Sequence, residues 1–185
     1  MLHRLVFACA LVALVGAGSS LRCEWMDHKF KQFSDTSLDL LGKMVINATN
    51  STGDQEDAGE EVPFPHHLYR QVSQESAKKQ VAFTVQVLKE VFVLFVEDSS
   101  FSSWQQSGLE KFLGVVNTLA ERLHACVPGS LEPVHKTKLQ MYFKRLLNHI
   151  LKKQGYSVEA WEIIRKTTKT HLERTQRLLS ALISS

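Results

Sequence analysis

Helix-breaking residues are scarce in this sequence. Only four of its 185 residues are proline and nine are glycine. Several long stretches contain neither residue, and such stretches favour helices over short strands joined by tight turns.

The sequence also lacks the motifs that carry catalysis or bind cofactors. It has only three cysteines, and no two of them stand at metal-ligand spacing. It contains no nucleophile elbow, phosphate loop, nucleotide fingerprint or H-E-x-x-H sequence. Among the eight histidines, His66 and His67 are adjacent in a loop. His149 and His171 lie on or beside apolar stripes, where a hydrogen-bonded core histidine is more common than a ligand. We therefore expect neither an enzyme nor a bound metal or cofactor.

The excess of positive charge in this sequence is small. The formal net charge is +3, and the positive charge is too small and too evenly spread to indicate a nucleic-acid partner.

The first residues have the form of a secretory signal. A short basic start, Met1 to Arg4, precedes an apolar run from Leu5 to Val15 and then small residues from Gly16 to Ser20. This run is shorter than the roughly 20 residues that span a bilayer, and no later run is long enough to anchor the protein. We expect cleavage between residues 18 and 22, and a secreted, extracellular product without membrane insertion. Residues 23–185 are enough for one domain.

Cys23 and Cys126 remain after loss of the signal, which takes Cys9 with it. An even number of cysteines in the oxidising secretory route favours a bridge between them, with two free thiols as the alternative.

Apolar residues recur at spacings of three and four in five segments, which predicts an all-α protein. The predicted helices are residues 24–46, 69–98, 103–126, 132–154 and 156–183. The second is rich in β-branched residues, which also suits strands, but no glycine or proline divides it. We therefore expect one uninterrupted helix at the centre of a bundle. Phe92, Phe112 and Trp161 lie on apolar stripes, and we expect them in the core.

The boundaries of the last two helices have clear local signals. Pro133 suits the first position of the fourth helix, Gly155 can close that helix, and Ser157 can cap the next.

The first two helices are joined by a long polar connection, residues 47–61. A long connection lets two helices run parallel. It contains two glycosylation sequons, at Asn47 and Asn50, and we expect at least one to carry glycan.

Several segments resemble one family of secreted helical cytokines. Residues 160–165, Ala-Trp-Glu-Ile-Ile-Arg, are similar to the A-W-E-[VI]-[VI]-R segment of the type I interferons. Phe64-Pro65, Leu109 to Phe112 and Ala125 to Val127 are similar to other parts of that family. The cysteine that precedes the Trp161 segment in mammalian members is replaced here by Glu159, as in the two-cysteine interferons of fish.

The resemblance implies an up-up-down-down bundle in which Cys23 pairs with Cys126. It further implies an antiviral cytokine that binds two different class II cytokine receptor chains and triggers JAK–STAT signalling. We expect the protein itself to be a monomer. Other readings are an interleukin-10-like cytokine, a growth-hormone-like hormone or a secreted lipid carrier.

By the same resemblance, the exposed face of the last helix binds the higher-affinity receptor. Relative to Trp161, Ile163 lies about 160° around the helix, Lys166 about 140° and Lys169 about 80°. These three residues are the predicted receptor contacts, although ordinary surface is the alternative for each. Arg165, about 40° from Trp161, is expected to brace the helix against a neighbour.

Overall fold

The computed structural model describes residues 23–44, 61–97, 106–127 and 132–183. Within these ranges the protein is helical and contains no strand, which confirms the all-α prediction. The helices are α1 Glu24–Lys43, α2 His66–Val72, α3 Ala77–Glu97, α4 Gln106–Cys126, α5 Pro133–Arg145 and α6 Val158–Ile183. The expectations for residues 1–22 and for Asn47 and Asn50 lie outside the described residues.

The segment predicted as a single second helix is two helices, and that prediction was wrong. A turn over residues 73–76 separates α2 from α3. The Ser73 hydroxyl donates to the Arg70 carbonyl at 2.9 Å, and the Gln80 side-chain amide donates to the Glu75 carbonyl at 2.8 Å. Side chains thus bind carbonyls that a continuous helix would have used, so the chain breaks without glycine or proline.

The ends of α5 and α6 follow the local sequence. Pro133 occupies the start of α5, and a π-helix, Leu146–Lys152, continues it. Gly155 then adopts a φ of 58°, the left-handed conformation that glycine tolerates best. The Ser157 hydroxyl accepts a hydrogen bond from the Ala160 amide at 3.1 Å and caps α6.

Helix α3 is the centre of the bundle. It packs against α4, α5 and α6, and α1 packs against α4 and α6. A disulfide joins Cys23, just before α1, to Cys126, the last residue of α4, with the two Cα atoms 5.5 Å apart. Since these helices pack along each other, a bridge from the start of one to the end of the other makes them antiparallel.

Aromatic side chains fill the middle of the core. Phe112 and Trp161 are buried, and Phe95 lies between them with ring centroids 5.4 Å and 5.8 Å away. Phe92 was also expected in the core, but it is only half-buried and packs against the core's edge. Phe92 lies about 60° around the helix from Phe95, on the side that carries exposed Val96, so it falls at the margin of the buried face.

Candidate receptor-binding surfaces

The first half of α6 presents two lysines to solvent. Lys166 and Lys169 are both exposed. The Lys169 ammonium lies 3.8 Å from a Glu173 carboxylate oxygen, with about half of the lysine side chain still exposed. A pair this exposed and this loose contributes little to stability, so both lysines can meet a partner's charge at small cost to the fold.

Ile163 differs from its expected exposure. It is half-buried and packs against the edge of the core. A position about 160° from Trp161 would face solvent on a helix packed along one side only. Here α6 contacts α1, α3 and the π-helix, so more of its circumference is covered. Only part of the Ile163 side chain is available to a partner.

Arg165 braces α6 against α1, as its angular position suggested. Its Nε and Nη2 donate to the two carboxylate oxygens of Glu162 at 2.8 Å and 2.6 Å, and Nη1 donates to the Leu41 carbonyl at 3.4 Å. The hydrogen bonds that Arg165 donates to the Glu162 carboxylate raise the pKa of Arg165. Since Glu162 and Leu41 both belong to this chain, the Arg165 guanidinium serves to hold α6 against α1.

A second polar link fixes the other end of the α1–α6 contact. The Gln176 side-chain amide donates to one Asp35 oxygen at 2.6 Å, and Lys31 donates to the other at 2.6 Å. The bond from Lys31, followed by that from Gln176, lowers the pKa of Asp35. The exposed face of α6 is therefore held on helices that are tied together at two places.

A second candidate surface lies on α3 and α5, and the sequence analysis missed it. Val93 and Met141 are 52% and 60% exposed. Val93 lines a cleft of about 280 Å³ together with Leu94, Phe143 and Leu147. An exposed apolar side chain at the mouth of a cleft with an apolar floor makes this face a candidate for protein interaction. The sequence did contain a signal for this surface, because α3 has more apolar residues than one buried stripe requires.

His171 lies in the core, whereas His149 lies at the surface. His171 is fully buried, and its Nδ1 lies 2.7 Å from the Tyr69 hydroxyl. His149, which was expected on or beside an apolar stripe, is exposed. Among the described residues, no group of histidine, cysteine, aspartate and glutamate could hold a metal ion. No described helix is long and apolar enough to cross a membrane.

The central α3, the long first connection and the antiparallel α1–α4 pair with its disulfide define a helical cytokine. The family model of the interferon alpha/beta domain matches residues 26–182. This chain therefore belongs to the type I interferon family, whose members are cytokines and not enzymes. That membership separates it from interleukin-10-like cytokines, growth-hormone-like hormones and lipid carriers.

The relatives support a fish-like member of that family. Interferon a3 of Oncorhynchus mykiss is 31% identical over 160 residues, which cover 86% of each chain. Interferon alpha of Felis catus is 32% identical over 175 residues, with the same coverage of both chains. Among solved structures, zebrafish interferon 1 is similar with a TM-score of 0.71 and 30% identity, over 86% of this chain and 99% of that one.

Proposed function

We propose that this protein is a secreted antiviral cytokine that binds two different class II cytokine receptor chains, one on each of two surfaces. Pairing of the two receptors would then trigger JAK–STAT signalling and antiviral gene expression. The observation that carries the proposal is the presence of two separate candidate surfaces, one on α6 and one on α3 and α5, on a bundle of the type I interferon family.

The α6 surface is the proposed site for the higher-affinity receptor. Lys166 and Lys169 would meet acidic residues of the receptor, and the accessible part of Ile163 would add apolar contact. Exposed charges at an interface act mainly on the association rate. The α3–α5 surface contains exposed Val93 on α3 and exposed Met141 on α5, and polar residues such as Glu90, Gln140 and Lys144 line its cleft. It is the proposed site for the second chain.

STAT phosphorylation in responsive cells tests this function, and variants of each surface make the test specific. Lys166→Ala with Lys169→Ala should weaken binding to one receptor. Val93→Asp with Met141→Asp should abolish signalling but leave that receptor's site intact. This second variant should therefore act as a competitive inhibitor of the unmodified protein.

Lys29→Ala with Lys111→Ala is the matched control, because these exposed lysines lie on α1 and α4, outside both surfaces. Its potency should be unchanged. An inactive α3–α5 variant that fails to inhibit the unmodified protein would contradict the assignment of two surfaces to two receptors.

The proposal includes secretion and glycosylation. Residues 1–22 would contain the cleaved signal, and at least one of Asn47 and Asn50 would carry glycan. The first residue of protein collected from culture medium, determined by mass spectrometry, tests the former. The mass change on treatment with a glycosidase tests the latter.

A further inference from the structure

A groove with a positive lining lies between α2 and the C-terminal half of α6. It has a volume of about 760 Å³. Its charged and titratable lining residues are His66, Tyr69 and Arg70 from α2 and Arg174 and Arg177 from α6, and none of the described residues that line it is acidic. The two walls come from helices more than a hundred residues apart in sequence, so only the fold assembles this charge.

Among these residues, Arg174 gives the strongest indication of an anionic ligand. Its side chain is half-buried, and its Nε has no hydrogen-bond partner among the described residues. Within the described ranges, its Nη2 reaches only the Nδ1 of His66, at 3.4 Å. Arg165, on the same helix, instead binds both oxygens of Glu162. Part of the charged Arg174 guanidinium is thus removed from water with no described carboxylate beside it, a cost that an anion in the groove would offset.

Neighbouring acidic residues do not neutralise the groove. Glu75, in the turn after α2, binds Lys79 at 2.9 Å. Glu173, beside Arg174 in the sequence, faces Lys169 at 3.8 Å. Arg70 and Arg177 are exposed on the two walls, and the Nε of Arg177 donates to its own helix at the Glu173 carbonyl. The positive charge of the groove is therefore largely uncompensated within the described part of the chain.

We propose that this groove binds a sulfated polysaccharide. A sulfate ester has three terminal oxygens in a tetrahedral arrangement and can accept hydrogen bonds from guanidinium groups on both walls at once. A carboxylate has two coplanar oxygens and matches a single guanidinium fork. The volume lies within the range of about 300–1,000 Å³ typical of sites for drug-sized ligands, and the positive residues on both walls suit a ligand that carries more than one sulfate. Leu178 and Ala181 add an apolar wall for the sugar rings.

Binding of a heparin-derived hexasaccharide, measured by calorimetry at physiological ionic strength, tests the site. Arg174→Gln should weaken binding about tenfold or more, because a tenfold change corresponds to the loss of one good charged contact. Arg70→Gln with Arg177→Gln should have a comparable effect. Both of these residues are exposed, so this double variant remains informative if Arg174→Gln fails to fold.

Lys136→Gln with Lys138→Gln is the matched control, since it removes two exposed positive charges from α5. It should weaken binding less than about twofold, the size expected for charges outside the site. Equal loss in the control and in the double groove variant would overturn the proposal, since binding would then follow net charge alone.

Three further ligands separate the possible sources of negative charge. Inorganic sulfate should bind weakly and with the same dependence on Arg174, and the fully desulfated hexasaccharide should not bind. An oligoglutamate peptide that bound as tightly as the hexasaccharide, and lost its affinity in the same variants, would mean that the groove recognises an acidic protein. That result, or tight binding of the desulfated sugar, would overturn the proposal.

The proposal for the groove and the proposal for the receptor surfaces can be tested independently. In cells that lack sulfated polysaccharides, the Arg70→Gln, Arg177→Gln variant should signal through STAT as the unmodified protein does. A large loss of signalling in those cells would assign the groove to a receptor and overturn the proposal.

Discussion

The Tyr69 hydroxyl lies 2.7 Å from Nδ1 of His171, and this buried hydrogen bond joins α2 to α6. Burial raises the pKa of Tyr69 well above its usual value. The phenol therefore stays protonated and can donate a hydrogen bond to the imidazole. The rings of Phe64, Tyr142 and Phe143 surround His171 with centroids 4.5 Å, 5.4 Å and 5.0 Å away. This aromatic cluster fixes the end of the first connection against the last helix.

Because His171 is buried in this cluster, we expect the protein to become less stable in acid. Burial lowers the pKa of His171 to about 3, whereas an unfolded histidine titrates near 6.5. Between these values the unfolded chain binds a proton that the folded protein does not. The contribution of neutral His171 is therefore complete above about pH 6.5 and is lost as pH falls toward 3, by up to about 1.4 kcal/mol per pH unit. Tyr69 and Tyr142 supply no negative charge to the ring, and Arg174 nearby is positive.

Urea unfolding at pH 7.5 and pH 5.0 checks this expectation. The unmodified protein should lose clearly more unfolding free energy on acidification than His171→Gln, while exposed His149→Gln should behave as the unmodified protein does. Identical losses in all three proteins would show that carboxylates, and not His171, govern the acid response.

Local sequence signals anticipated the fold where a single residue decides an element's boundary. Pro133 at the start of α5 and Ser157 at the start of α6 are such cases. The break before α3 could not be predicted in the same way, because it depends on the Gln80 side chain reaching back to the Glu75 carbonyl. Neither residue type is a helix breaker by itself.

The surfaces were harder to anticipate than the helices, because exposure depends on neighbouring helices. A helical wheel placed Ile163 in solvent, but contacts of α6 with several elements cover part of its side chain. The groove required α2 and α6 to meet across more than a hundred residues of sequence. The sequence contained Arg70, Arg174 and Arg177, but nothing in it indicated that they line one site.

The disulfide should contribute strongly to stability. It closes a loop with a sequence separation of 103 residues, and removal of such a bridge typically costs about 2–5 kcal/mol because the unfolded chain gains conformations. Cys23→Ser with Cys126→Ser should lower the urea midpoint accordingly without changing the helix content. Thiol titration of the denatured, unreduced protein should detect no free thiol, and two thiols per chain would contradict the bridge.

Trp161 and Phe92 provide a comparison between the centre and the edge of the core. Trp161 is 1% exposed, and replacement of a buried tryptophan by alanine typically costs about 3–5 kcal/mol. Phe92 is half-buried, so Phe92→Ala leaves a smaller cavity and should cost clearly less. The two midpoints in urea unfolding measure the difference, and equal losses would place Phe92 in the core after all.

Replacement of Arg165 by lysine tests the bidentate pair with Glu162 on α6. Arg165 binds both oxygens of Glu162 and also reaches the Leu41 carbonyl. A lysine keeps the charge but cannot reproduce this planar fork. Arg165→Lys should therefore lose about 1.5–3 kcal/mol of unfolding free energy, the range for a hydrogen bond that involves a charged group. Lys166→Arg is the control on an exposed neighbour. If Arg165→Lys were as stable as that control, the contact with α1 would carry no energy.

The α6 surface predicts different consequences for its lysines and its isoleucine. Lys166→Ala with Lys169→Ala should slow association with the higher-affinity receptor and make it less sensitive to salt, because exposed charges steer encounter. The thermal midpoint should change little, since neither lysine is buried.

Ile163→Ala should mainly speed dissociation, and it should also lower the midpoint because Ile163 packs against the core's edge. Ile163→Val, which removes one methylene group, should move both quantities in the same direction by less. Surface plasmon resonance at two salt concentrations and thermal unfolding separate these effects. Unchanged association and dissociation rates in all three variants would place the receptor site elsewhere on the bundle.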